Sequence, residues 1–275
     1  MPGTLYVVAT PLGNLQDLSP RAAATLGRVA VVAAEDTRRS KTLLAHVGSH
    51  AQLLSFHSHS SSRALRRLLD VLGEGHDVAL VTDAGTPAVS DPGAALVAAA
   101  RERDVPVVSI PGPTAVAAAL AVSGLPADRY EFLGFLPRKG AERRRLLERV
   151  ARSEWTVVLF EAPPRVATLL ADLVQACGPE RRAALARELT KVFEETRTGT
   201  LGELAGYYGD APARGEVTLV IAGAGRRARA AETPAPEERA RALLAEGLTR
   251  KDVVERLAAE TGIPRNTAYR LVNEL

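Results

Sequence analysis

The chain has 275 residues, 46% of them hydrophobic but only 4% aromatic, with a net charge of +3. That length allows two ordinary domains and an appendix, with cores filled by Val, Leu and Ala, and the small charge does not by itself mark a nucleic-acid binder. A lone cysteine, Cys177, excludes an intrachain disulfide and a cysteine-based zinc site, no metal is expected, and no apolar run reaches the ~20 residues of a membrane span.

The opening MPGTLYVVATPLGN runs straight into a strand pattern, so no signal peptide and a cytoplasmic setting are expected. Residues 1–124 alternate strands (Thr4–Ala9, Val29–Glu35, Gln52–Phe56, Asp77–Thr82, Pro106–Ile110) with helices (Pro20–Gly27, Ser40–Val47, Ser62–Gly73, Pro92–Arg103, Thr114–Val122). The strands are short and apolar on both faces, as in a parallel sheet covered on each side. Pro92 and Pro113 are placed in first helical turns, where proline is tolerated.

A break at Gly124-Leu125-Pro126 opens a second α/β domain, residues 125–224. It has predicted strands Tyr130–Phe135, Thr156–Glu161, Ala184–Leu189, Val192–Thr198 and Val217–Gly223, and helices Ala141–Arg152, Pro163–Cys177 and Leu201–Tyr208. Thr200 and Glu203 have capping-box spacing. Two successive strands without a helix between them predict a hairpin in a mixed sheet. Residues 225–236 read as a linker, and 237–275 as a small helical domain: Glu237–Glu246, then Arg250–Thr261 capped by Thr249 and closed by Gly262, then Thr267–Leu275. The last two helices have helix-turn-helix character.

Ligands of open α/β sheets bind beyond the carboxyl ends of the strands. Three such ends pair Pro with Gly: Thr10-Pro11-Leu12-Gly13-Asn14, Asp83-Ala84-Gly85-Thr86-Pro87 and Pro111-Gly112-Pro113-Thr114. Proline stiffens the backbone and glycine lets another group approach it. None is a phosphate cradle: no Lys follows a glycine as in the Walker loop, and Gly13 stands alone rather than in a three-glycine fingerprint. The plainer reading is three tight strand-to-helix turns.

In order and spacing, TPLGNLQDLSPRA, AEDTRRS, DAGTPAVSDPG, PGPTA, GFLPRKG, RELTK and GEVTLVIAG resemble the tetrapyrrole-methylase-like, S-adenosylmethionine-dependent methyltransferases, and among them those acting on ribosomal RNA. The resemblance covers about residues 4–223. It implies an α/β fold of two α/β domains with the cofactor cleft between them, a homodimer, and methylation of the ribose 2′-hydroxyl of a cytidine in the 16S rRNA decoding region, with 16S rRNA or the small ribosomal subunit as partner. S-adenosylmethionine has no phosphate, which accounts for the missing cradle. Carried over from the family, its contacts fall on Pro11, Gly13, Asp83, Ala84, Gly85, Thr86, Pro87, Val89, Ser90, Thr114 and Ala115, and in the second domain on Phe160, Glu216, Val217 and Thr218. Asp83 has the alternative of capping its own turn.

Methyl transfer from a sulfonium is an in-line displacement, and a ribose hydroxyl is a weak acid that a nearby base or cation assists. Asp36, beside Glu35 at the end of strand two, is a candidate catalytic group, with an N-cap of the following helix as the equal alternative. His59, two residues after His57 on the same face of an extended segment, is a candidate base or RNA contact; Ser60 follows it where relatives often have Asn. Glu161 is catalytic or positioning. FEAPPR has Pro164 where relatives often have His, so no histidine is required there. Lys191 would lower the hydroxyl pKa or meet a phosphate, unless it is a solvated surface charge.

For RNA, residues 137–152 carry seven Arg or Lys against two Glu. Arg138, Lys139, Arg143, Arg144 and Arg145 cluster at a helix start, where cations oppose the macrodipole, so phosphate contact explains them better than local stability. The tail adds Arg250, Lys251, Arg265 and Arg270, and the body it is attached to favours RNA over duplex DNA. Trp155 and Tyr130 suit a core as well as a base platform. Two alternatives remain: the same cofactor with a porphyrinoid or modified-histidine acceptor, disfavoured by the basic cluster, and a ligand-sensing DNA-binding regulator.

Overall fold

The computed structural model describes residues 1–57, 61–210, 212–224, 236–261 and 263–275. His59, the closing Gly262 and all of the expected linker except Pro236 lie outside the described residues.

The first lobe is a five-stranded sheet ordered β3-β2-β4-β1-β5, parallel throughout. Its strands are β1 (Leu5–Val8), β2 (Val31–Ala34), β3 (Gln52–Ser55), β4 (Val78–Val81) and β5 (Val107–Ile110), and its helices are α1 (Pro20–Arg28), α2 (Thr37–His46), α3 (Ser62–Gly73), α4 (Ala94–Arg101) and α5 (Ala115–Ser123). All four residues of β2 and of β4 are buried, as both-sided cover demands. One apolar cluster lies on each face, with Leu68, Leu72 and Leu96 on one side and Leu26, Leu43 and Leu44 on the other. From β1 the chain crosses past β4 to reach β2, whereas from β4 it crosses past β1 to reach β5. The direction reverses between β1 and β4, and a crevice opens at their carboxyl ends.

The second lobe is a mixed sheet ordered β6-β7-β10-β8-β9. Here β6 (Tyr130–Phe135) runs parallel to β7 (Thr156–Glu161), while β10 (Val217–Ile221) is antiparallel to β7 and to β8 (Arg182–Arg187), which forms the expected hairpin with β9 (Glu195–Thr200). Helices α6 (Ala141–Arg152), α7 (Val166–Cys177) and α8 (Leu201–Asp210) bury one face, around Leu159, Leu169, Leu170, Leu173 and Leu219. The capping box at α8 is closed in both directions: Thr200 N–H donates to Glu203 Oε2 at 2.8 Å and Glu203 N–H to Thr200 Oγ1 at 3.2 Å.

The other face of this sheet is covered by α5. Val116, Ala119 and Leu120 pack with Val158, Ala184, Ala186 and Val220, and Leu12 of the first lobe joins them. The α5 sequence AVAAALAVS is apolar apart from Ser123, with Val116, Ala119 and Leu120 buried and Ala117, Ala121 and Val122 left exposed on the other side. Its left-handed closing residue, Gly124 at φ 68°, releases the chain into the second lobe. The tail is a separate three-helix unit, α9 (Pro236–Ala245), α10 (Arg250–Thr261) and α11 (Arg265–Glu274), around Leu243, Val253, Leu257 and Val272. Thr249 Oγ1 accepts from Asp252 N–H at 3.3 Å, the expected cap.

Three expectations need correcting. Helix α2 begins at Thr37, not Ser40, because the Asp36 carboxylate accepts the Arg38 N–H at 2.8 Å and starts the helix before any apolar residue appears. Pro92 and Pro113 precede their helices, which start after Gly93 and Thr114. The β8–β9 pair lies outward of its predicted span: Leu189 to Phe193 form the turn, and the polar ends Arg187 and Glu195 pair in register through a 2.7 Å ion pair.

Candidate functional site

The three Pro-Gly loops meet on one rim. Thr10 and Gly85 form an antiparallel bridge, with Thr10 N–H donating to Gly85 C=O at 2.8 Å and Gly85 N–H to Thr10 C=O at 3.0 Å. Thr10 is buried and its hydroxyl donates to Thr82 C=O at 3.0 Å. The third loop approaches closely enough that a Cβ on Gly112 would lie 3.0 Å from Ala9 Cβ, and Thr86 Oγ1 reaches Pro113 C=O at 3.5 Å. Gly85 has φ 84°. Two further residues of the second loop, Ala88 at φ 67° and Ser90 at φ 60°, hold left-handed conformations without being glycine, the kind of strain that surrounding structure must impose. That surrounding includes the second lobe: a Cβ on Gly134 of β6 would sit 2.7 Å from Ser90 Oγ.

Between the lobes is a cleft of about 390 Å³. The first lobe contributes Asp83, Ala84, Gly85, Thr86, Val89, Ser90, Thr114 and Ala115, and the second Phe160, Glu161, Glu216, Val217 and Thr218. Of the expected cofactor contacts, Pro11 and Gly13 line an adjoining recess of about 420 Å³ that shares Leu12, Arg39, Asp83, Ala84 and Glu216 with the cleft, and Pro87 lines neither. Phe160 packs edge-on against Phe132 at 4.9 Å and near Phe135 at 5.6 Å, and Phe135 is over half exposed on the cleft wall.

The candidate catalytic groups differ sharply in their surroundings. Asp36 caps α2 and lines no part of the cleft: Arg38 binds its carboxylate through Nε at 3.2 Å and Nη2 at 2.8 Å as well as through its backbone N–H. The Arg38 side chain and then its backbone amide hold the carboxyl well down, at about 2, which makes it a poor base. Glu161 is at the wall with its side chain 1% exposed; Oε1 accepts Ala162 N–H at 2.8 Å and Oε2 faces Arg165 Nη2 at 3.1 Å. Arg165 in turn donates to Leu136 C=O at 2.7 Å, so Glu161 anchors the short 3-10 turn Pro163–Arg165. Asp83 does not cap its own turn: it accepts Asp36 N–H at 3.1 Å and faces Arg39 at 3.4 Å.

Lys191 is no free surface charge. It pairs with Glu188 at 3.0 Å and Glu216 at 3.2 Å, and a Cβ on Gly13 would strike its side chain. Burial works to lower its pKa, but the hydrogen bond to Glu188 and the charge of Glu216 outweigh it and raise the pKa, so the ammonium stays charged. Of the basic cluster, Arg138, Lys139, Arg144 and Arg145 are exposed at the start of α6, but Arg143 is turned inward. It is buried against Asp172 of α7, with Nε–Oδ2 at 3.0 Å, and donates to Pro137 C=O at 2.9 Å. For this residue a local structural role does account for the charge.

Sequence reasoning did not single out Arg39, Phe135 or Asp91, all at the cleft. Asp91 stands out electrostatically. Burial pushes its carboxyl up to about 6, against a hydrogen bond from Thr82, with the charges of Glu35, Asp83 and Glu216 pushing the same way. The only local signal was its place in SDPG. In the tail, Arg250, Lys251, Arg265, Asn266 and the exposed Tyr269 line a groove between α10 and α11.

With this geometry in hand, the comparisons with known proteins are specific. Residues 4–205 match the model for the tetrapyrrole (corrin/porphyrin) methylases. A Synechocystis protein named ribosomal RNA small subunit methyltransferase I is 45% identical, over 99% of this chain and 98% of its own. A Micromonospora olivasterospora protein of the same name is 47% identical, over 98% and 86%. Among solved structures, uroporphyrin-III C-methyltransferase from Thermus thermophilus complexed with S-adenosyl homocysteine superposes with a TM-score of 0.59 at 21% identity, covering 83% of this chain and all (100%) of that one. A cobalt precorrin-4 methyltransferase gives 0.62 at 19%, covering 80% and 94%. The match over most of both lobes, together with relatives well above 30% identical along nearly the whole length, establishes that the chain belongs to the tetrapyrrole (corrin/porphyrin) methylase family.

Proposed function

We propose that this methyltransferase uses S-adenosylmethionine to methylate the ribose 2′-hydroxyl of a cytidine in the decoding region of 16S rRNA. The observation that carries the reading is the likeness, running through the helical tail, to chains named for small-subunit ribosomal RNA. The cleft supports the donor. Glu35, Asp83, Glu161 and Glu216 line it, the last three paired with Arg39, Arg165 and Lys191, so the wall carries no surplus of cations and suits a donor without phosphates. Backbone groups of residues 83–86, Thr114, Ala115 and 216–218 meet the adenosine, and Phe160 and Phe135 offer ring faces.

The enzyme holds the methyl–sulfur bond in line with the attacking oxygen. In this reading Glu161 positions the wall rather than reacting, and Lys191 fixes the 13–14 loop against Glu188 and Glu216. Arg138, Lys139, Arg144 and Arg145, with the groove at Arg250, Lys251 and Tyr269, contact rRNA phosphates and bases. The active form is a cytoplasmic homodimer, and light scattering of the purified protein measures that state. The test of function is incubation with methyl-labelled S-adenosylmethionine and unmodified 30S subunits or naked 16S rRNA. Label on one cytidine ribose is expected; label on a base, or none, overturns the reading.

A further inference from the structure

Next to the donor cleft is a second cavity, about 220 Å³, formed by Phe56 and His57 after β3, Ser61, Ser62 and Leu65 at the start of α3, and residues 92–95 leading into α4. Among the described residues, the linings of the two cavities have one member in common, Asp91. The loop that presents it is fixed at both ends. A Cβ on Gly93 would come within 2.6 Å of Leu80 Cδ2 on β4, so the chain presses against the sheet there, and Ser90 lies against Gly134 of the other lobe. Within the loop Ala88 N–H donates to Pro92 C=O at 3.3 Å.

We propose that this second cavity seats the acceptor nucleoside and that Asp91, on the wall between acceptor and donor, is the general base of methyl transfer. The inference rests on the function proposed above and adds the acceptor subsite and the base. The 2′-oxygen attacks the methyl carbon, the new O–CH3 bond forms as the CH3–S bond breaks, the sulfonium becomes a neutral thioether, and the hydroxyl proton passes to the Asp91 carboxylate. Neither Asp36, committed to its helix cap, nor Glu161, paired with Arg165, is placed for this transfer. A partly buried carboxyl whose pKa lies near 6 is predominantly ionised at neutral pH yet more basic than an ordinary aspartate, which suits the role. The charged and titratable groups around it are Glu35 at the end of β2, Asp83 after β4, Glu216 before β10, His57 after β3, and Arg39 of α2 paired with Asp83.

The experiment compares wild type, Asp91→Asn and Asp91→Glu in single-turnover methylation of unmodified 30S subunits at saturating donor across pH, with donor affinity measured by calorimetry. Wild-type rate should rise through an inflection at or below about pH 6, because the bound sulfonium lowers the carboxyl from its value in the protein alone. Asp91→Asn should lose about 100-fold or more in rate, the scale of general-base catalysis, with donor affinity within about threefold and the inflection gone. Asp91→Glu should restore part of the rate. Loss of the inflection in Asp91→Asn assigns it to Asp91 rather than to Glu35, Asp83, Glu216 or His57. As an independent readout, Ser62→Trp, which fills the second cavity, should raise KM for the subunit and leave donor affinity unchanged. Asp91→Asn turning over at the wild-type rate, a loss explained by weaker donor binding, or an unchanged subunit KM in Ser62→Trp would overturn the inference. A wild type that methylates no ribose refutes the function itself instead.

Discussion

Truncating Asp172 to Ala should cost more than any change in the exposed part of the basic cluster. The Arg143 side chain is 9% exposed and its guanidinium reaches Asp172 Oδ2 through Nη2 at 2.5 Å as well as through Nε. Removing one partner of a buried pair leaves a charge in low dielectric, at about 3–5 kcal/mol. The Asp172 side chain is 31% exposed and Arg143 keeps its bond to Pro137 C=O, so water and that carbonyl recover part of the loss. We expect about 2–3 kcal/mol, near the lower bound of that range. In a domain of this size that is a fall in Tm of roughly 5–10 °C. The assay is urea unfolding followed by the fluorescence of Trp155, the only tryptophan, which immediately precedes β7 and reports on the second lobe. Arg143→Met with Asp172→Leu should recover most of the stability, because a buried pair is replaceable by apolar groups of similar size. Arg144→Ala and Arg145→Ala should stay within about 0.5 kcal/mol of wild type. Asp172→Ala also within that margin would refute the claim that Arg143 is a structural cation.

Neutralising Arg144 and Arg145 together should weaken RNA binding and flatten the plot of log affinity against log salt by about 0.7–0.9 for each phosphate contact removed; an unchanged slope makes them surface decoration. Gly134→Ala, at φ 64° and against Ser90 Oγ, should reduce donor affinity in calorimetry by displacing the 86–92 loop, and undiminished affinity would count against that loop as a donor contact. Lys191→Met has a pH signature. Its hydrogen bond holds the Glu188 carboxyl below its ordinary 4.5, so that contribution is complete above 4.5 and fades as pH falls through the lowered value. The raised Lys191 contributes below 10.5 and fades as pH rises through its folded value. The stability gap between wild type and Lys191→Met should therefore be flat near neutrality and narrow in acid and in strong base; a gap constant into strong acid would contradict the pairing.

Much of the scaffold was legible because its causes are local. The spans Ser62–Gly73, Tyr130–Phe135, Ala141–Arg152, Thr156–Glu161 and Arg250–Thr261 match the structure residue for residue, and each is bounded by a cap, a glycine or a change of period. The three Pro-Gly loops were readable for the same reason, and they do share one rim. What local pattern missed depends on partners far along the chain. Arg143 looks like its exposed neighbours until Asp172, 29 residues on, is folded against it. Asp91 is an ordinary turn aspartate in sequence; its raised pKa comes from burial and from acids on β2, on the β4 loop and beside β10. Val192 and Phe193 look like strand residues but are 93% and 73% exposed in a turn, because register in the β8–β9 hairpin follows the Arg187–Glu195 pair instead.

The central claim is that the cleft carries a methyl donor whose methyl group goes to a ribose of small-subunit rRNA. Mass-spectrometric mapping of 16S rRNA after reaction of unmodified 30S subunits with the purified protein and labelled S-adenosylmethionine tests it most directly. A single labelled 2′-O-methylcytidine in the decoding region is the predicted result; label on a base, on protein, or nowhere in the RNA would contradict it.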